Sequence, residues 1–431
     1  MAKKRKIYEK DFRYDLLHAY TGVCIRLFFK KIECLGRENL PEDGAVILAP
    51  NHCNALLDPL AILSTFKGRM VFVARADIFG GALAKIFEFL KMMPINRRRD
   101  GIRNMVKAEE TIEKSIEVLG NGVPFCILPE GTHRTMHSLL PIGKGIARVA
   151  AGFCEKYPGK KVYIVPVGLE YGDYFRPCTT LTVRYGDPVD VVEVLAEERG
   201  RTPLEKMSDI RSLTGGGIRK EIVYIPDDEE YEPTWELVKI YSGKVPECRT
   251  ALRSDAGMAA AAKVEDFREK NPDKAAELLA GAGRFRECRR KAGISLHSLA
   301  CRHPGGSAVL KTLLATVLLP YVAVCAAAAI IPLGLAEYLC VTKFEDRAFH
   351  NSARFLIMEI VWTVCFVPGA VAAAVVNRWA GLLWIAALWP APYVVYRYAE
   401  MVRRTVSLWR VLRHKEIRGW YRNLRDIMEK I

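Results

Sequence analysis

Residues 32–190 alternate short apolar runs with longer stretches in which apolar residues recur at helical spacing. The short runs are typical of buried strands and lie at 45–49, 70–74, 124–128, 162–167 and 181–185. The helical patterns are clearest at 102–119 and 145–156. Because strands alternate with helices, the pattern predicts an α/β domain over residues 35–190, with a largely parallel sheet flanked by helices. Ligands of such sheets usually bind at the carboxyl ends of the strands.

Three uncharged segments lie close together near the C-terminus, at 312–336, 360–377 and 379–396. Since about 20 helical residues cross a bilayer core, these segments predict a transmembrane region over 306–396 with two or three helices. Their Trp and Tyr residues fit an interfacial belt. A buried helical core is the alternative. We expect an even number of spans, because an odd number would place the basic C-terminal tail on the far side of the membrane.

The positive charge of the chain is concentrated at its two ends. Residues 1–31 carry nine Lys and Arg against three acids, and residues 397–431 carry ten against four, within a net charge of +15. These ends predict a basic amphipathic membrane-surface segment at 1–34 and a basic amphipathic tail at 397–431, both in contact with membrane lipids. Nucleic acid is the competing partner for basic tails, but no stacking platform or recognition module is visible, so none is expected.

The remaining composition indicates a protein exposed to a reducing compartment. Arg26 interrupts the N-terminal apolar stretch, so no secretory signal is expected. The twelve cysteines include no C-x-x-C pair, which argues against structural zinc and favours reduced thiols. Residues 191–305 predict a charged, mostly helical connector, with an acidic cluster at 227–230 and three glycines at 215–217. No group of His, Asp and Glu has ligand spacing, so no metal is expected.

His52 and Asp58 follow the apolar run at 45–49 directly. The Asp58 carboxylate could hold one ring nitrogen of His52, which would leave the other nitrogen free to take a proton from a substrate hydroxyl. A single H-x-x-x-x-D pattern is weak evidence by itself. Cys53 also lies beside the histidine, so a nucleophilic cysteine is an alternative. Adjacent residues of an extended segment point to opposite faces, which argues against that alternative.

Three further motifs follow within the same α/β unit. They are Pro94-Ile95-Asn96-Arg97, then Pro129-Glu130-Gly131-Thr132, then Val165-Pro166-Val167, where the proline favours an edge strand or an irregular ladder. Together with His52 and Asp58, they resemble, in order, the four sequence blocks of the glycerol-phosphate/lysophosphatidic acid acyltransferases. The resemblance implies an acyltransferase-type α/β domain on a membrane surface. It covers residues 35–190, which is under half of the chain.

The resemblance also implies roles for individual residues. His52 would be the general base and Asp58 would orient it. Arg97 would bind the acceptor phosphate, because a guanidinium matches phosphate oxygens.

In the third and fourth blocks, Glu130, Gly131 and Thr132 would shape the acceptor site, and Pro166 would line the acyl track. For these residues and for Arg97 a purely structural role is the alternative: a solvated basic cluster, a turn after a strand, or sheet packing.

The chain departs from the family pattern after Thr132. The family usually has Arg at the next position, where this chain has His133, and Arg134 follows. Either Arg134 takes over phosphate binding from a shifted position, or His133 makes a weaker, pH-dependent contact. The departure concerns the headgroup and leaves the acyl chemistry unchanged.

The sequence therefore predicts an O-acyltransferase of phospholipid biosynthesis, integral to the membrane, with its catalytic domain on the cytoplasmic face. It would use acyl-CoA or acyl carrier protein as co-substrate, with no cofactor, and 1-acyl-glycerol 3-phosphate or a related lysophospholipid as acceptor. Glycerol 3-phosphate or dihydroxyacetone phosphate is the alternative acceptor. An inactive lipid-binding protein is the alternative of another class, but such a protein would be expected to have lost one of the motif residues. The oligomeric state is left open.

Overall fold

A computed structural model describes residues 6–76, 83–95, 102–196, 201–242 and 250–431. The described residues fall into two compact units. The first lies within 1–25, 32–171 and 181–222, and the second within 26–31, 172–180 and 223–431. The first part of the expected connector, up to Ile222, belongs to the unit that contains the sheet, and the predicted segment boundaries stay a prediction.

The first unit is built on one mixed sheet, with eight strands in the described part of the chain. They are β1 (Lys31–Leu35), β2 (Ala45–Pro50), β3 (Val71–Arg75), β4 (Met92–Ile95), β5 (Phe125–Cys126), β6 (Val162–Tyr171), β7 (Thr180–Tyr185) and β8 (Val189–Asp190). The order is β1-β7-β6-β2-β5-β3-β4, and β8 also pairs with β6. The pairs β2–β5, β2–β6, β3–β4 and β3–β5 are parallel, whereas β7 and β8 run antiparallel to β6. The predicted largely parallel sheet is confirmed.

Helices flank this sheet, as the alternating pattern predicts. They are α1 (Phe12–Phe28), α2 (Leu57–Thr65), α3 (Leu83–Phe89), α4 (Ile102–Gly120), α5 (Lys144–Lys156), α6 (Val191–Ala196) and α7 (Pro203–Glu221), with a 3-10 turn at Arg37–Asn39. The start of α7 is encoded locally. Thr202 and Glu205 form a reciprocal capping box, and a proline stands in the first turn.

Strand β6 is an interior strand, and Pro166 lies where its antiparallel partner changes. Strand β8 pairs with Tyr163 and Ile164, and β7 pairs from Val167 onward. Between the two, Gly186 donates its N–H to the Pro166 carbonyl at 2.9 Å. Because proline has no N–H, it fits at a position between the two antiparallel partners of β6. The irregular ladder is therefore present, but β6 is not an edge strand.

The second unit is helical in its described part. Its helices are α8 (Tyr231–Ser242), α9 (Thr250–Lys270), α10 (Pro272–Lys291), α11 (Leu296–Ala300), α12 (Pro304–Ala328), α13 (Ile330–Thr342), α14 (Ala348–Val376), α15 (Arg378–Leu388), α16 (Ala391–Arg413) and α17 (Lys415–Lys430). Glu236 of α8 is fully buried and binds Lys239 at 2.6 Å and Arg289 at 2.7 Å.

The C-terminal helix α17 has an apolar stripe at helical spacing. Ile417, Tyr421, Leu424 and Met428 are buried in one core cluster with residues of α8, α9 and α10. This face of the basic tail is therefore covered by protein.

In the part of the chain that the structure describes, three helices are long and apolar enough to cross a membrane: Pro304–Ala328, Ala348–Val376 and Arg378–Arg413. The third is interrupted between α15 and α16 at Pro390. Most of their apolar side chains are exposed, for example Val317 and Val375, as expected of surfaces that contact lipid. Three such helices indicate membrane association. The expected even number of spans stays a prediction.

Candidate active site

The end of β2 and the start of α2 bring His52 and Asp58 together. The chain turns at Ala55, whose φ is 46°, and the Leu57 N–H donates to the Asn54 carbonyl at 3.0 Å. This turn places Asp58 in the first turn of α2, where the exposed backbone N–H groups favour a carboxylate. The His52 Nδ1 lies 2.7 Å from the Asp58 Oδ2.

The Asp58 carboxylate is fully buried and held by several donors. Its Oδ2 accepts the backbone N–H groups of Cys53 and Asn54, each at 2.8 Å, in addition to His52. Its Oδ1 accepts the Tyr171 hydroxyl at 2.8 Å. A buried carboxylate with this many donors is fixed in orientation. The contact with Nδ1 leaves the Nε2 of His52 available for a substrate proton, and the His52 side chain keeps 17% of its surface exposed.

Glu130 connects the loop after β5 to the histidine backbone. Its Oε1 accepts the His52 N–H at 2.6 Å, and its Oε2 accepts the Leu140 N–H at 2.8 Å. Burial raises the pKa of Glu130, while these two backbone N–H groups oppose the rise. The carboxylate therefore holds both ends of the loop 130–140 beside His52.

Gly131 and Thr132 follow Glu130 on the exposed side of this loop. Gly131 has a φ of +69°, a conformation that glycine adopts without strain. The Thr132 hydroxyl lies in the same short segment as the site and can hydrogen-bond a polar group. The role of Gly131 and Thr132 in an acceptor site stays a prediction.

Residues 31–170 match the sequence profile of the family described as Acyltransferase. The match contains His52, Asp58 and Glu130, which the fold has brought to one end of the sheet.

This segment is an acyltransferase domain.

Curated relatives share parts of this domain. A probable 1-acyl-sn-glycerol-3-phosphate acyltransferase of Mycoplasma pneumoniae is 21% identical over 148 residues, which are 33% of this chain and 53% of the relative. The 1-acyl-sn-glycerol-3-phosphate acyltransferase of Borreliella burgdorferi is 29% identical over 138 residues, 32% of this chain and 53% of that protein. Glycerol-3-phosphate O-acyltransferase 1 of Saccharomyces cerevisiae is 26% identical over 117 residues, 27% of this chain and 15% of the yeast protein. The chain thus spans about half the length of the bacterial relatives.

The crystal structure of the 1-acyl-sn-glycerophosphate acyltransferase of Thermotoga maritima is also similar. It is 20% identical, with a TM-score of 0.35, over 48% of this chain and 78% of that one.

Within the acyltransferase domain, the His133 ring lies against the His52 ring. Its ring centroid is 5.5 Å from that of His52, in an edge-to-face arrangement. Arg134 instead donates its backbone N–H to the His52 carbonyl at 3.0 Å and its Nη2 to the Ser138 hydroxyl at 2.6 Å. Of the two candidates for the headgroup, His133 is therefore next to His52, and the Arg134 guanidinium is bound within its own loop.

Pro166 packs beneath helix α7 of the acyltransferase domain. A Cβ at Gly217 would lie 2.4 Å from the Pro166 Cγ, so helix and strand are in direct contact there. This packing favours the structural alternative for Pro166, whose role in the acyl track stays a prediction. Arg97 and its neighbours 96–101 lie outside the described residues, so the predicted phosphate contact has no geometry to compare.

Sequence reasoning missed two polar side chains that complete the site. Tyr171 reaches Asp58 from the end of β6, as above. Asn51 accepts the Leu169 N–H at 2.7 Å and donates to the Leu169 carbonyl at 3.2 Å, which ties the histidine loop to β6. Neither residue belongs to a block, and only the β2–β6 pairing could have indicated them. Among the residues described, no three His, Cys, Asp or Glu side chains come together as a metal ion requires.

Proposed function

We propose that this protein is a membrane-bound O-acyltransferase that moves an acyl group from a thioester to a hydroxyl of a lysophospholipid such as 1-acyl-glycerol 3-phosphate. One observation carries the proposal. Within the acyltransferase domain, His52 is held at 2.7 Å by a fully buried carboxylate, with its second ring nitrogen left for a substrate.

The chemistry follows from that geometry. The Nε2 of His52 takes the proton of the acceptor hydroxyl, and the oxygen attacks the thioester carbonyl to form a tetrahedral intermediate. Asp58 stabilises the imidazolium that results. The intermediate then expels the thiolate, which takes the proton back from His52. The acceptor has gained an ester, the donor has become a thiol, and the imidazole is neutral again.

The acceptor phosphate would be bound by Arg97 and by the exposed segment that includes Thr132 and His133. The donor would be acyl-CoA or acyl carrier protein. We further propose that the domain lies on the cytoplasmic face, where a water-soluble thioester and a lipid acceptor can meet. The three apolar helices and the similarity to acyltransferases of lipid acceptors support this arrangement.

Acyl transfer by membranes that contain the full-length chain tests the proposal. Wild-type membranes should move radiolabelled acyl groups from acyl-CoA to 1-acyl-glycerol 3-phosphate, and His52→Ala should abolish transfer. His18→Ala is the matched control, because His18 is a partly buried histidine of the same unit whose ring lies against the Leu63 carbonyl and stacks on Tyr14. Full activity of His52→Ala would refute the mechanism, and inactive wild-type membranes with either donor would refute the function.

A second acceptor is favoured by a specific similarity. Glycerol-3-phosphate O-acyltransferase 2 of Saccharomyces cerevisiae is 34% identical over 84 residues, and its paralogue is similar over a longer stretch. Glycerol 3-phosphate and dihydroxyacetone phosphate should therefore be assayed beside the lysophospholipid. The acceptor with the highest kcat/KM identifies the reaction.

A further inference from the structure

The two oxygens of the Asp58 carboxylate have different partners. The Oδ2 binds His52 and two backbone N–H groups, whereas the Oδ1 accepts the hydroxyl of Tyr171 at 2.8 Å. Among the described residues, the other contact of Oδ1 is the weakly donating Cys53 thiol, at 3.7 Å. Tyr171 and Asp58 are both buried, at 5% and 0% exposure. A strong hydrogen bond to a buried carboxylate is therefore supplied by a residue outside the four sequence blocks.

The sheet fixes the position of this hydroxyl. Tyr171 pairs with Leu181 at the end of β6, and Leu169, two residues earlier, is bound on both sides of its peptide by the Asn51 side chain. Asn51 immediately precedes His52. The same contacts that set the register of β6 against the histidine loop therefore set the distance from Tyr171 to Asp58. A hydroxyl held by strand pairing is more rigid than one carried on a loop.

We propose that Tyr171 is a positioning residue for acyl transfer, which holds the Asp58 carboxylate with Oδ2 toward His52 and takes up part of its negative charge. This inference rests on the proposed function, since it requires His52 to act as the base. Tyr171 would not touch the substrate. It would act through Asp58 on how tightly the imidazolium of His52 holds its proton.

The sign of the effect follows from hydrogen bonding. A donor to a carboxylate spreads its charge, so removing the donor strengthens the attraction between the carboxylate and the imidazolium. The base then loses its proton at higher pH, and the acid limb of the pH–rate profile moves upward. The other titratable groups around the pair are unchanged by the substitution: Glu130 and His133 from the loop after β5, Cys53 from the turn after β2, Cys126 from β5, and Glu170 with its partner His137.

The test compares Tyr171→Phe with Tyr185→Phe in the full-length protein. Tyr185 is a matched control, because it is buried in the same sheet and its hydroxyl pairs with Thr65 Oγ1 at 3.0 Å, at the opposite end of α2 from Asp58. Each variant loses one buried hydroxyl, so similar losses of thermal stability are expected.

The measurement is kcat/KM against pH, with acyl-CoA as donor and the acceptor that wild type uses. For Tyr171→Phe, the acid limb should move up by about 0.5 to 1 pH unit, so that the rate on that limb falls about three- to tenfold. The KM for the acceptor should stay at the wild-type value. For Tyr185→Phe, the limb should stay in place.

The outcomes separate the two proposals. If wild type is active, His52→Ala is inactive and the limb of Tyr171→Phe coincides with that of wild type, the role of Tyr171 is refuted while the function stands. A shift to lower pH, or equal shifts in both tyrosine variants, also refutes it. If His52→Ala keeps wild-type activity, His52 is not the base, and the role proposed for Tyr171 is refuted with it.

Discussion

Replacing Asp58 by Asn tests the electrostatic core of the site. The change keeps the size of the side chain, and the amide oxygen can still accept the N–H groups of Cys53 and Asn54. What is lost is the negative charge opposite the imidazolium that forms when His52 takes the substrate proton. Unit charges about 4 Å apart at an effective dielectric of about 20 attract each other by about 4 kcal/mol. That energy corresponds to a fall of about a thousandfold in kcat.

The assay is acyl transfer by purified full-length protein in lipid vesicles, with thermal unfolding measured in parallel. We expect the free energy of unfolding of Asp58→Asn to lie within about 2 kcal/mol of the wild-type value, since most hydrogen bonds can be kept. Asp43→Asn is the matched control, because Asp43 also has a cationic partner, Lys161 at 2.7 Å, but lies outside the site. If Asp58→Asn keeps activity within about tenfold of wild type, the carboxylate is not stabilising the imidazolium, and the reasoning fails.

Four further substitutions test three separate statements about the fold and site. Burial and the neighbouring carboxylate raise the pKa of the Cys53 thiol well above its ordinary value. Cys53→Ala should therefore keep activity within about threefold of wild type. An inactive but folded Cys53→Ala variant would instead support the alternative in which Cys53 is the nucleophile. Gly217→Ala should destabilise by about 1–3 kcal/mol in chemical unfolding, because its Cβ would lie 2.4 Å from the Pro166 ring. Gly216→Ala, with open space around its Cβ, should instead stabilise by up to about 1 kcal/mol; equal effects would contradict the packing. Glu236→Gln should lower the free energy of unfolding in urea by about 3–5 kcal/mol, because it leaves the partly buried Lys239 and Arg289 without their carboxylate, and a loss below about 1 kcal/mol would show that these cations are solvated.

The strands predicted from apolar runs are those buried within the sheet. The runs at 45–49, 70–74 and 162–167 correspond to β2, β3 and β6, because a strand covered on both faces is apolar throughout. Strands β1 and β4 were not predicted. They lie at the two ends of the strand order, and β1 carries Lys31 and Glu33 among its five residues. A strand with one free edge needs fewer apolar residues, so its sequence carries less signal.

Helix α7 shows a different limit of local reasoning. Its three consecutive glycines lie in the segment that the sequence predicts as a charged, mostly helical connector, and in the structure they are part of a helix. The structure gives a reason for one of them, since Gly217 lets the helix approach Pro166 where any Cβ would collide. Glycine lowers helix propensity by about 1 kcal/mol, and tertiary packing overrides that cost here. The reason for a glycine at this position is the contact between α7 and β6, which cannot be read from the sequence of either segment alone.

The site was predictable to the extent that its residues follow strand ends in sequence blocks. His52, Asp58 and Glu130 lie together in the structure, because the carboxyl ends of parallel strands meet at one edge, and their roles stay predictions. The donors that complete the site could not be predicted in this way. The register between β2 and β6 brings Asn51 and Tyr171 to the site, although they are 120 residues apart in the sequence.

The position after Thr132 is where structure changes the meaning of the sequence. As a sequence, His133-Arg134 reads as the family's arginine shifted by one residue, which would keep a permanent cation for the acceptor phosphate. The Arg134 side chain is instead bound to Ser138, and its backbone to the His52 carbonyl, so it serves the loop. The ring beside His52 belongs to His133. An imidazole carries charge only over part of the physiological pH range, whereas a guanidinium always does. If the acceptor phosphate contacts this position, the KM for the acceptor should depend less on pH in a His133→Arg variant than in wild type.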